Sequence, residues 1–266
     1  MKQTLGNVPM PSLLALVALL FSLPTQASEW IDLTYSLSPR AVFWPTAQRF
    51  EKRTDFEGQT EGGYYYSAYT FTTAEHGGTH IDAPVHFARG KQPVDEVPLD
   101  RLIGDAVVLD LTVRVDGNCN HRVSVEDIAN WEKAHGRIPD RSIVLIRTGY
   151  SQYWPDAARY LGTALRGQAG VAMLCFPGLH PDAATWLAEE RAIKSVGIDT
   201  ASIDYGKSKD FAAHVNLMTR NIPAFENVAN LDKLPATGVY VVALPAKIKG
   251  GSGGPLRIVA RIQDQP

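Results

Sequence analysis

The chain has 266 residues, of which 26 are Lys or Arg and 28 are Asp or Glu. This near-neutral balance lacks the basic surplus of nucleic-acid-binding proteins, so we expect no nucleic-acid partner. The sequence is 45% hydrophobic and 9% aromatic, which excludes a disordered chain. Its two cysteines are too few for a disulfide scaffold or a multi-cysteine metal cluster, so any metal must be bound by His and carboxylate groups.

The first residues have the pattern of an export signal. Lys2 gives a positive start, an apolar run covers residues 13–23, and the small side chain of Ala27 precedes the expected cleavage site. The run is too short for a helix to cross a hydrocarbon core of about 30 Å; an uncleaved anchor or a buried helix is the alternative. We predict a signal peptide over 1–27 and one domain over 28–266. The protein would then be exported, periplasmic or secreted, with no membrane contact after cleavage.

Runs rich in Val, Ile, Tyr and Thr, each bounded by Gly, Pro or Asp, predict seven strands. In chain order they cover Trp30–Ser36, Tyr64–Glu75, Ala106–Thr112, Ser142–Arg147, Ile193–Ile198, Gly238–Leu244 and Leu256–Ile262. Strands outnumber helices and do not alternate with them regularly. This pattern favours a mixed α/β domain over a Rossmann fold or a barrel built from repeats.

Three helices are predicted between these strands. The first covers Ser124–Ala134, where Ser124 and Asp127 resemble a capping box with Asp in place of Glu. The second covers Pro181–Ala192 and begins with a proline that suits a first helical turn. A shorter third helix is predicted over Asp210–Thr219.

The two cysteines allow two interpretations. Cys119 lies in a polar loop sequence and Cys175 in an apolar stretch. An exported location permits a disulfide between them. Two free thiols are the alternative, and the sequence leaves both open.

Residues 75–87 read Glu-His-Gly-Gly-Thr-His-Ile-Asp-Ala-Pro-Val-His-Phe. The glycines and the proline disfavour a helix. If the segment is extended, the even-numbered His76, His80, Asp82 and His86 share one face, although a bulge at the glycines would break this parity. Imidazole and carboxylate groups on one face form a ligand set for Zn, Mn or Fe. Burying them unpaired would cost several kcal/mol, so we favour a metal site over an ordinary buried cluster.

The segment 76–86 resembles the H-x-G-T-H-x-D-x-P-x-H signature of the cyclase family of metal-dependent hydrolases, which includes bacterial kynurenine formamidases and isatin hydrolases. Agreement with the family extends over nearly the whole mature chain. The agreeing stretches are Trp30 to Thr34, Val144 to Gly149, Val196 to Thr200, Ile222 to Asn227 and Ala243 to Ile248. The resemblance implies a swivelling β/β/α single domain that assembles as a homodimer or homotetramer.

The resemblance also implies roles for the clustered residues. His76, His80 and Asp82 would be metal ligands, and His86 would be the catalytic acid/base. Its unperturbed pKa near 6.5 suits proton transfer from water to a leaving nitrogen. Thr79 and Asp199 are candidates for orienting the histidine ligands.

A second metal position follows from the formamidase branch of the family. There a distal His and a Glu twelve residues later complete the position, with the Asp bridging. His214 and Glu226 have this spacing. His214 on the polar face of a short helix, and Glu226 as a capping or surface carboxylate, are the alternatives. Glu226 could also share the acid/base role if it is not a tight ligand. We expect one or two divalent cations, Mn or Zn, per subunit.

These roles predict a metal-dependent hydrolase that acts on a non-peptide C–N bond of a small aryl amide or lactam, such as N-formylkynurenine or isatin. A divalent cation lowers the pKa of its water to about 7 and stabilises the developing oxyanion. Phe43 and Trp44 belong to an aromatic-Pro element that the resemblance places beside the substrate. Together with the tyrosines at 64–66 they could stack on a flat ring, although strand packing is the alternative. An export signal fits poorly with cytosolic tryptophan breakdown and favours an isatin-like or unknown environmental substrate.

Other classes fit the sequence less well. An exported metal-binding or metal-delivery protein, or a ligand-binding protein without catalysis, would keep the fold. Metal-delivery proteins tend to carry His- or Met-rich tracts, and this sequence has 4 Met and no such tract. A serine hydrolase needs a G-x-S-x-G turn between a strand and a helix. The GGSGG sequence at 250–254 is instead followed by Pro255 and a strand-like run, so we predict a loop there.

Overall fold

The computed structural model describes residues 29–263, and the signal peptide predicted over 1–27 lies outside them. The strands are β1 Trp30–Asp32, β2 Glu51–Gln59, β3 Tyr65–Thr72, β4 His80–Asp82, β5 Ile103–Asp110, β6 Arg122–Val123, β7 Ile143–Arg147, β8 Gly178–Leu179, β9 Ser195–Ile198, β10 Ala224–Glu226, β11 Val239–Pro245 and β12 Gly253–Ile262. The α-helices are α1 Leu99–Leu102, α2 Thr112–Val115, α3 Val125–His135, α4 Ala157–Tyr160, α5 Gly167–Val171, α6 Pro181–Glu190 and α7 Ala212–Met218. Every helix within this described range is too short or too polar to traverse a lipid bilayer.

Eight strands form one sheet in the order β1-β12-β11-β5-β7-β9-β10-β4. Strand β4 also pairs with the start of β12, so seven of these strands close into a ring. Strands β5, β7, β9 and β10 run parallel to one another, whereas β4 lies antiparallel to both of its neighbours. The prediction of a mixed α/β single domain is confirmed.

Both faces of the parallel strands are buried, as is usual when helices cover one side of a parallel sheet. In β5, Val108 points into the closed sheet, while Val107 and Leu109 pack on the outer face. The outer face is covered by side chains of α3, α6 and α7, among them Trp131, Leu187 and Leu217. This alternation explains why the sequence of these strands is continuously apolar.

The three predicted helices are present with small shifts at their ends. Helix α3 begins with the predicted capping box, in which the Ser124 hydroxyl accepts from the Asp127 N–H at 3.1 Å and the Asp127 carboxylate accepts from the Ser124 N–H at 3.0 Å. Helix α6 begins at Pro181. Helix α7 is shorter than predicted and covers Ala212–Met218.

All seven predicted strands are present, but five further strands were missed. Four of these, β4, β6, β8 and β10, have two or three residues each, too few for a periodic pattern. The fifth, β2, is a charged strand that pairs with β3 in a separate two-stranded hairpin. Its exposed residues carry no alternation of apolar and polar side chains that could identify it.

Cys119 and Cys175 form a disulfide with a Cα–Cα distance of 5.1 Å. The bond joins the loop after α2 to the segment after α5. Of the two interpretations that the sequence left open, the structure has the disulfide.

Candidate metal centre

The centre is built around the short strand β4. His80 and Asp82 are two residues apart on this strand, so their side chains lie on the same face. Strand β10 runs antiparallel to β4 with Glu226 opposite His80, and side chains of directly opposed residues lie close together. The register of two strands therefore brings two carboxylates and one imidazole to one place, and all three residues are buried.

Of the motif, only His80–Asp82 is extended, as strand β4. The chain turns on either side of this strand, so the shared face expected for a fully extended segment does not include the whole motif. Gly78 has a positive φ of 60°, which turns the chain before β4, and Pro84–His86 forms a 3₁₀ helix after it. His76 and His86 still reach the centre, from a turn on one side and from the 3₁₀ helix on the other. Their rings stack with centroids 3.8 Å apart.

His214 enters the centre from helix α7, which the sequence predicted. Its Nδ1 lies 2.7 Å from the Oδ2 of Asp204. The Asp204 carboxylate also accepts from the backbone N–H groups of Ala213 and His214, at 3.2 and 3.1 Å. Asp204 thus fixes both the start of α7 and the ring of His214. The sequence reasoning missed Asp204, since only the fold brings it to this helix.

The potential ligand atoms form two groups that share Asp82. One group is His76, His80 and Asp82; the other is Asp82, His214 and Glu226; in each, the ligand atoms lie within 4.8 Å of one another. Asp82 Oδ1 lies 2.6 Å from His76 Nδ1 and 3.2 Å from His80 Nε2. Its other oxygen, Oδ2, lies 3.1 Å from His214 Nε2, which is itself 3.1 Å from Glu226 Oε1.

Burial and neighbouring charges have opposite effects on the pKa values of Asp82 and His80. Burial opposes ionisation of Asp82, but the imidazoles of His76, His214 and His80 outweigh it and hold the pKa of this carboxyl well below its usual range. Burial likewise opposes protonation of His80, yet Asp82 and Glu226 raise its pKa to about 9. Burial and the charge of Asp82 together raise the pKa of Glu226. The carboxylates thus favour positive charge on the neighbouring imidazoles, and the imidazoles favour negative charge on Asp82.

His86 differs from the other imidazoles. Burial, supported by the neighbouring His76, His214 and His80, lowers its pKa to about 4, against the opposing effect of Asp82. It belongs to neither of the two ligand groups. Its ring lines the cavity beside Phe87, with ring centroids 4.5 Å apart.

Each potential histidine ligand has a partner for its second ring nitrogen, as is usual at metal sites. His214 contacts Asp204, His80 Nδ1 lies 2.9 Å from the Gly78 carbonyl oxygen, and His76 Nε2 lies 2.8 Å from the Ser252 hydroxyl oxygen. The predicted orienting residues do not have this role. The Thr79 hydroxyl donates to the Asn227 carbonyl oxygen at 2.7 Å, and the Asp199 carboxylate accepts from Thr148 and Gly149.

A cavity of about 290 Å³ opens over the centre. Phe43 and Trp44 line it, as do Phe87 and Phe211. The Phe43 ring lies so close to Gly77 that any Cβ there would overlap it, so this glycine lets the aromatic wall approach the first histidine of the motif. The predicted tyrosines at 64–66 do not line the cavity and are exposed on the β2–β3 hairpin.

The donor set fits a divalent cation. Three imidazoles and two carboxylates converge, all of them buried except the half-buried His76, and nitrogen and oxygen donors of this kind bind Zn, Mn and Fe. Each of the two groups offers three donor residues, and Asp82 belongs to both. Every residue predicted to be a metal ligand therefore lies in one of these two possible metal sites.

The chain is similar to a known protein family and to characterised relatives. The family model described as "Putative cyclase" matches residues 31–205. An isatin hydrolase of Roseibium aggregatum is 29% identical over 248 residues, covering 88% of this chain and 92% of the relative. A kynurenine formamidase of Salinibacter ruber is 29% identical over 243 residues, covering 89% and 99%.

Solved structures agree over the same extent. Isatin hydrolase A from Labrenzia aggregata, bound to benzyl benzoate, is similar with a TM-score of 0.79 and 33% identity, covering 89% of this chain and 94% of that chain. An isatin hydrolase bound to the product analogue thioisatinate has a TM-score of 0.78 at 28% identity, covering 89% and 93%. The fold expected from the resemblance is therefore confirmed over nearly the whole described range.

Proposed function

The chain belongs to the cyclase family, and from this premise we propose that it is a metal-dependent hydrolase that cleaves the C–N bond of a small aryl amide or lactam. One observation carries the proposal: three imidazoles and two carboxylates converge at the base of a cavity with aromatic walls. The metals proposed are Mn²⁺ or Zn²⁺, one or two per subunit. His76, His80 and Asp82 would hold one, and Asp82, His214 and Glu226 the other.

A divalent cation in such a site acts as a Lewis acid and lowers the pKa of water to about 7. The protein's own residues would supply the rest. Asp204, the Gly78 carbonyl and Ser252 orient the three imidazoles. His86 stands in the cavity outside both ligand groups, where it can accept a proton from water and donate it to the leaving nitrogen. Glu226 is proposed to share this proton transfer where it is not a tight ligand.

The aromatic wall supports a flat substrate. The ring centroid of Trp44 lies 6.3 Å from that of Phe176, edge-on, and 6.4 Å from that of Phe211, tilted. The ring centroids of Phe211 and Phe87 are 5.2 Å apart. Such rings pack favourably on the face or edge of another aromatic ring. Phe43 and Trp44 are therefore proposed to contact the aryl part of the substrate, with its carbonyl directed towards Asp82 and the histidines.

We propose that the protein is exported, to the periplasm or beyond. The N-terminal pattern supports this, and so does the disulfide between Cys119 and Cys175, because such bonds persist in oxidising compartments and are rare in the cytosol. Outside the cytosol, isatin or a related environmental lactam is a more fitting substrate than N-formylkynurenine.

A homodimer or homotetramer is also proposed. Support comes from the hairpin of β2 and β3, because an isolated two-stranded hairpin is at best marginally stable in water. Its aromatic side chains are largely exposed, with Tyr64 at 64% and Phe71 at 60%. A second copy of the chain packed against this hairpin would bury them.

A direct comparison of isatin and N-formylkynurenine as substrates tests the proposed activity. The protein is dialysed against a chelator, reloaded with Mn²⁺ or Zn²⁺, and assayed with each compound. Metal-dependent hydrolysis of either one supports the proposal, and the faster substrate identifies the branch. Tight metal binding without hydrolysis of either compound would contradict it and favour a metal-binding or ligand-binding protein of the same fold.

A further inference from the structure

Ser252 lies in the glycine-rich loop between β11 and β12, far in sequence from the histidine motif. Its Oγ lies 2.8 Å from the Nε2 of His76 and 2.6 Å from the Oε2 of Glu75. Its backbone N–H donates to the same Glu75 oxygen at 3.0 Å. Two parts of the chain, separated by more than half its length, thus form one continuous series of hydrogen bonds: His76 to Ser252 to Glu75.

The chemistry of the three groups fixes the direction of this series. The Ser252 hydroxyl donates its hydrogen to the Glu75 carboxylate, whose oxygens are acceptors. The hydroxyl oxygen is then left to accept from the Nε2–H of His76. Nδ1, which lies 2.6 Å from Asp82 Oδ1 within the ligand group, is then the ring nitrogen that would present its lone pair to a bound cation.

The glycines on either side of Ser252 make this contact possible. A Cβ on Gly253 would lie 2.6 Å from the Cε1 of His76 and would collide with the Ile81 carbonyl oxygen. A Cβ on Gly251 would lie 2.8 Å from Oε1 of Glu75. The loop is also bound to β4, because Gly253 pairs with Asp82 and the Ala83 N–H donates to the Ser252 carbonyl oxygen at 2.8 Å. The glycine-rich sequence is thus a close-packed support for His76.

The geometry points to Ser252 and Glu75 as positioning residues for metal binding: they hold the His76 ring in the tautomer that presents Nδ1 to the cation. This inference rests on the proposed function, since it assumes that the site binds a divalent metal. Its consequence is a specific one. Loss of the Ser252 hydroxyl or of the Glu75 carboxylate should weaken metal binding, although all the ligand atoms remain present.

The test is Zn²⁺ affinity, measured by competition with a chromogenic chelator on the full mature chain. Ser252→Ala should weaken Zn²⁺ binding about 10–100-fold, the usual cost of losing a group that orients a ligand. Glu75→Gln keeps the size of the side chain, but its amide can donate to Oγ and reverse the series, so a similar loss is expected. Ser252→Thr keeps a hydroxyl and should restore most of the affinity. Ser67→Ala, on the exposed hairpin strand β3, is the matched control.

Two further readouts separate positioning from a general structural effect. The double variant of Ser252→Ala and Glu75→Gln should bind Zn²⁺ no more weakly than either single variant, because both remove the same interaction. Histidine ¹⁵N NMR of the zinc-loaded protein should show a protonated Nε2 on His76. A protonated Nδ1, or Zn²⁺ affinity unchanged in both single variants, would overturn the inference. Zinc binding by the unmodified chain without aryl amide hydrolysis would instead contradict only the proposed function.

Discussion

His86 is set apart from the other histidines of the site by its position. It follows β4 on a 3₁₀ helix and stacks on His76, yet it offers no nitrogen to either ligand group. The ring centroid of His214 lies 6.4 Å from that of His86. These positions suggest that the other histidines bind the metal whereas His86 transfers a proton. Removing the His86 ring tests this division of roles.

We expect His86→Ala to retain the metal content of the unmodified protein while turnover falls by about 10²–10⁴-fold, the usual contribution of a general acid or base. Metal content is measured by mass spectrometry of the purified protein and turnover with the better aryl amide. His135→Ala, at the end of α3, controls for the loss of a histidine elsewhere. A His86→Ala protein without metal would show that His86 is a ligand and would contradict the assigned role.

Some residues of the metal centre could be predicted from the sequence and others could not. His76, His80, Asp82 and His86 lie in one motif, so their proximity follows from the chain itself. His214 and Glu226 were identified through a spacing typical of the family. The groups that orient them were not, because Asp204 and Ser252 reach the histidines only after the strands have paired.

Helices α3 and α6 are joined at their C-terminal ends by a partly buried ion pair. The Glu132 carboxylate of α3 accepts from Arg191 Nε at 2.7 Å and Nη2 at 2.8 Å, and also from the Ile138 N–H at 2.8 Å. Both side chains are only 13% exposed. Arg191, against the opposing effect of burial, lowers the pKa of Glu132 below its usual value.

This lowered pKa predicts a pH-dependent contribution to stability. The folded state binds fewer protons at Glu132 than the unfolded state, so the contribution is complete above the ordinary Glu pKa and is lost as the pH falls through the lowered value. Glu132→Gln should therefore reduce the free energy of unfolding by about 1–3 kcal/mol at neutral pH and by less at an acid pH below the ordinary Glu pKa. Urea unfolding at both pH values measures this, with Glu61→Gln in the exposed hairpin turn as the control. A loss that is equal at both pH values would contradict the explanation.

Elements with a periodic sequence were predictable, and elements defined only by their partners were not. Helix α3 carries its own capping box, and β7 carries a continuous apolar run, so each was identified from a local pattern. Strands β4 and β10 have three residues each and exist because β12 and β9 supply their hydrogen-bonding partners. The centre is built on these two short strands. Its residues could be predicted from the motif and the family spacing, but its geometry could not, because three-residue strands have no sequence pattern that predicts their pairing.

At the scale of the whole molecule, the exposed aromatic surface of the β2–β3 hairpin is not explained by a single copy of the chain. Phe56 and Tyr66 form a tilted pair on it with ring centroids 5.8 Å apart, and both are more than 40% exposed. The hairpin also connects the aromatic wall at Phe43 and Trp44 to the motif at His76. Packing against a second copy would therefore stabilise both the hairpin and the segments that frame the cavity.

We expect light scattering after size-exclusion chromatography to show a dimer or tetramer, and the double variant of Phe56→Lys and Tyr66→Lys to shift it towards the monomer, because charges oppose burial of this surface. Leu99→Lys, at an exposed apolar residue of α1, is the matched control and should leave the assembly unchanged. A monomeric unmodified protein, or an assembly that tolerates both lysines, would contradict the proposed role of the hairpin.

We propose that the clustered histidines and carboxylates hold the metal that hydrolysis requires. The most direct measurement titrates metal-stripped protein with Mn²⁺ or Zn²⁺ while isatin hydrolysis and bound metal are followed together. We expect negligible turnover in the stripped protein, a rise in turnover in proportion to bound metal, and saturation when one or two ions are bound per chain. His80→Ala should lose both metal binding and turnover. Full activity in the stripped protein, or full metal content in His80→Ala, would show that these residues do not hold a metal that hydrolysis requires.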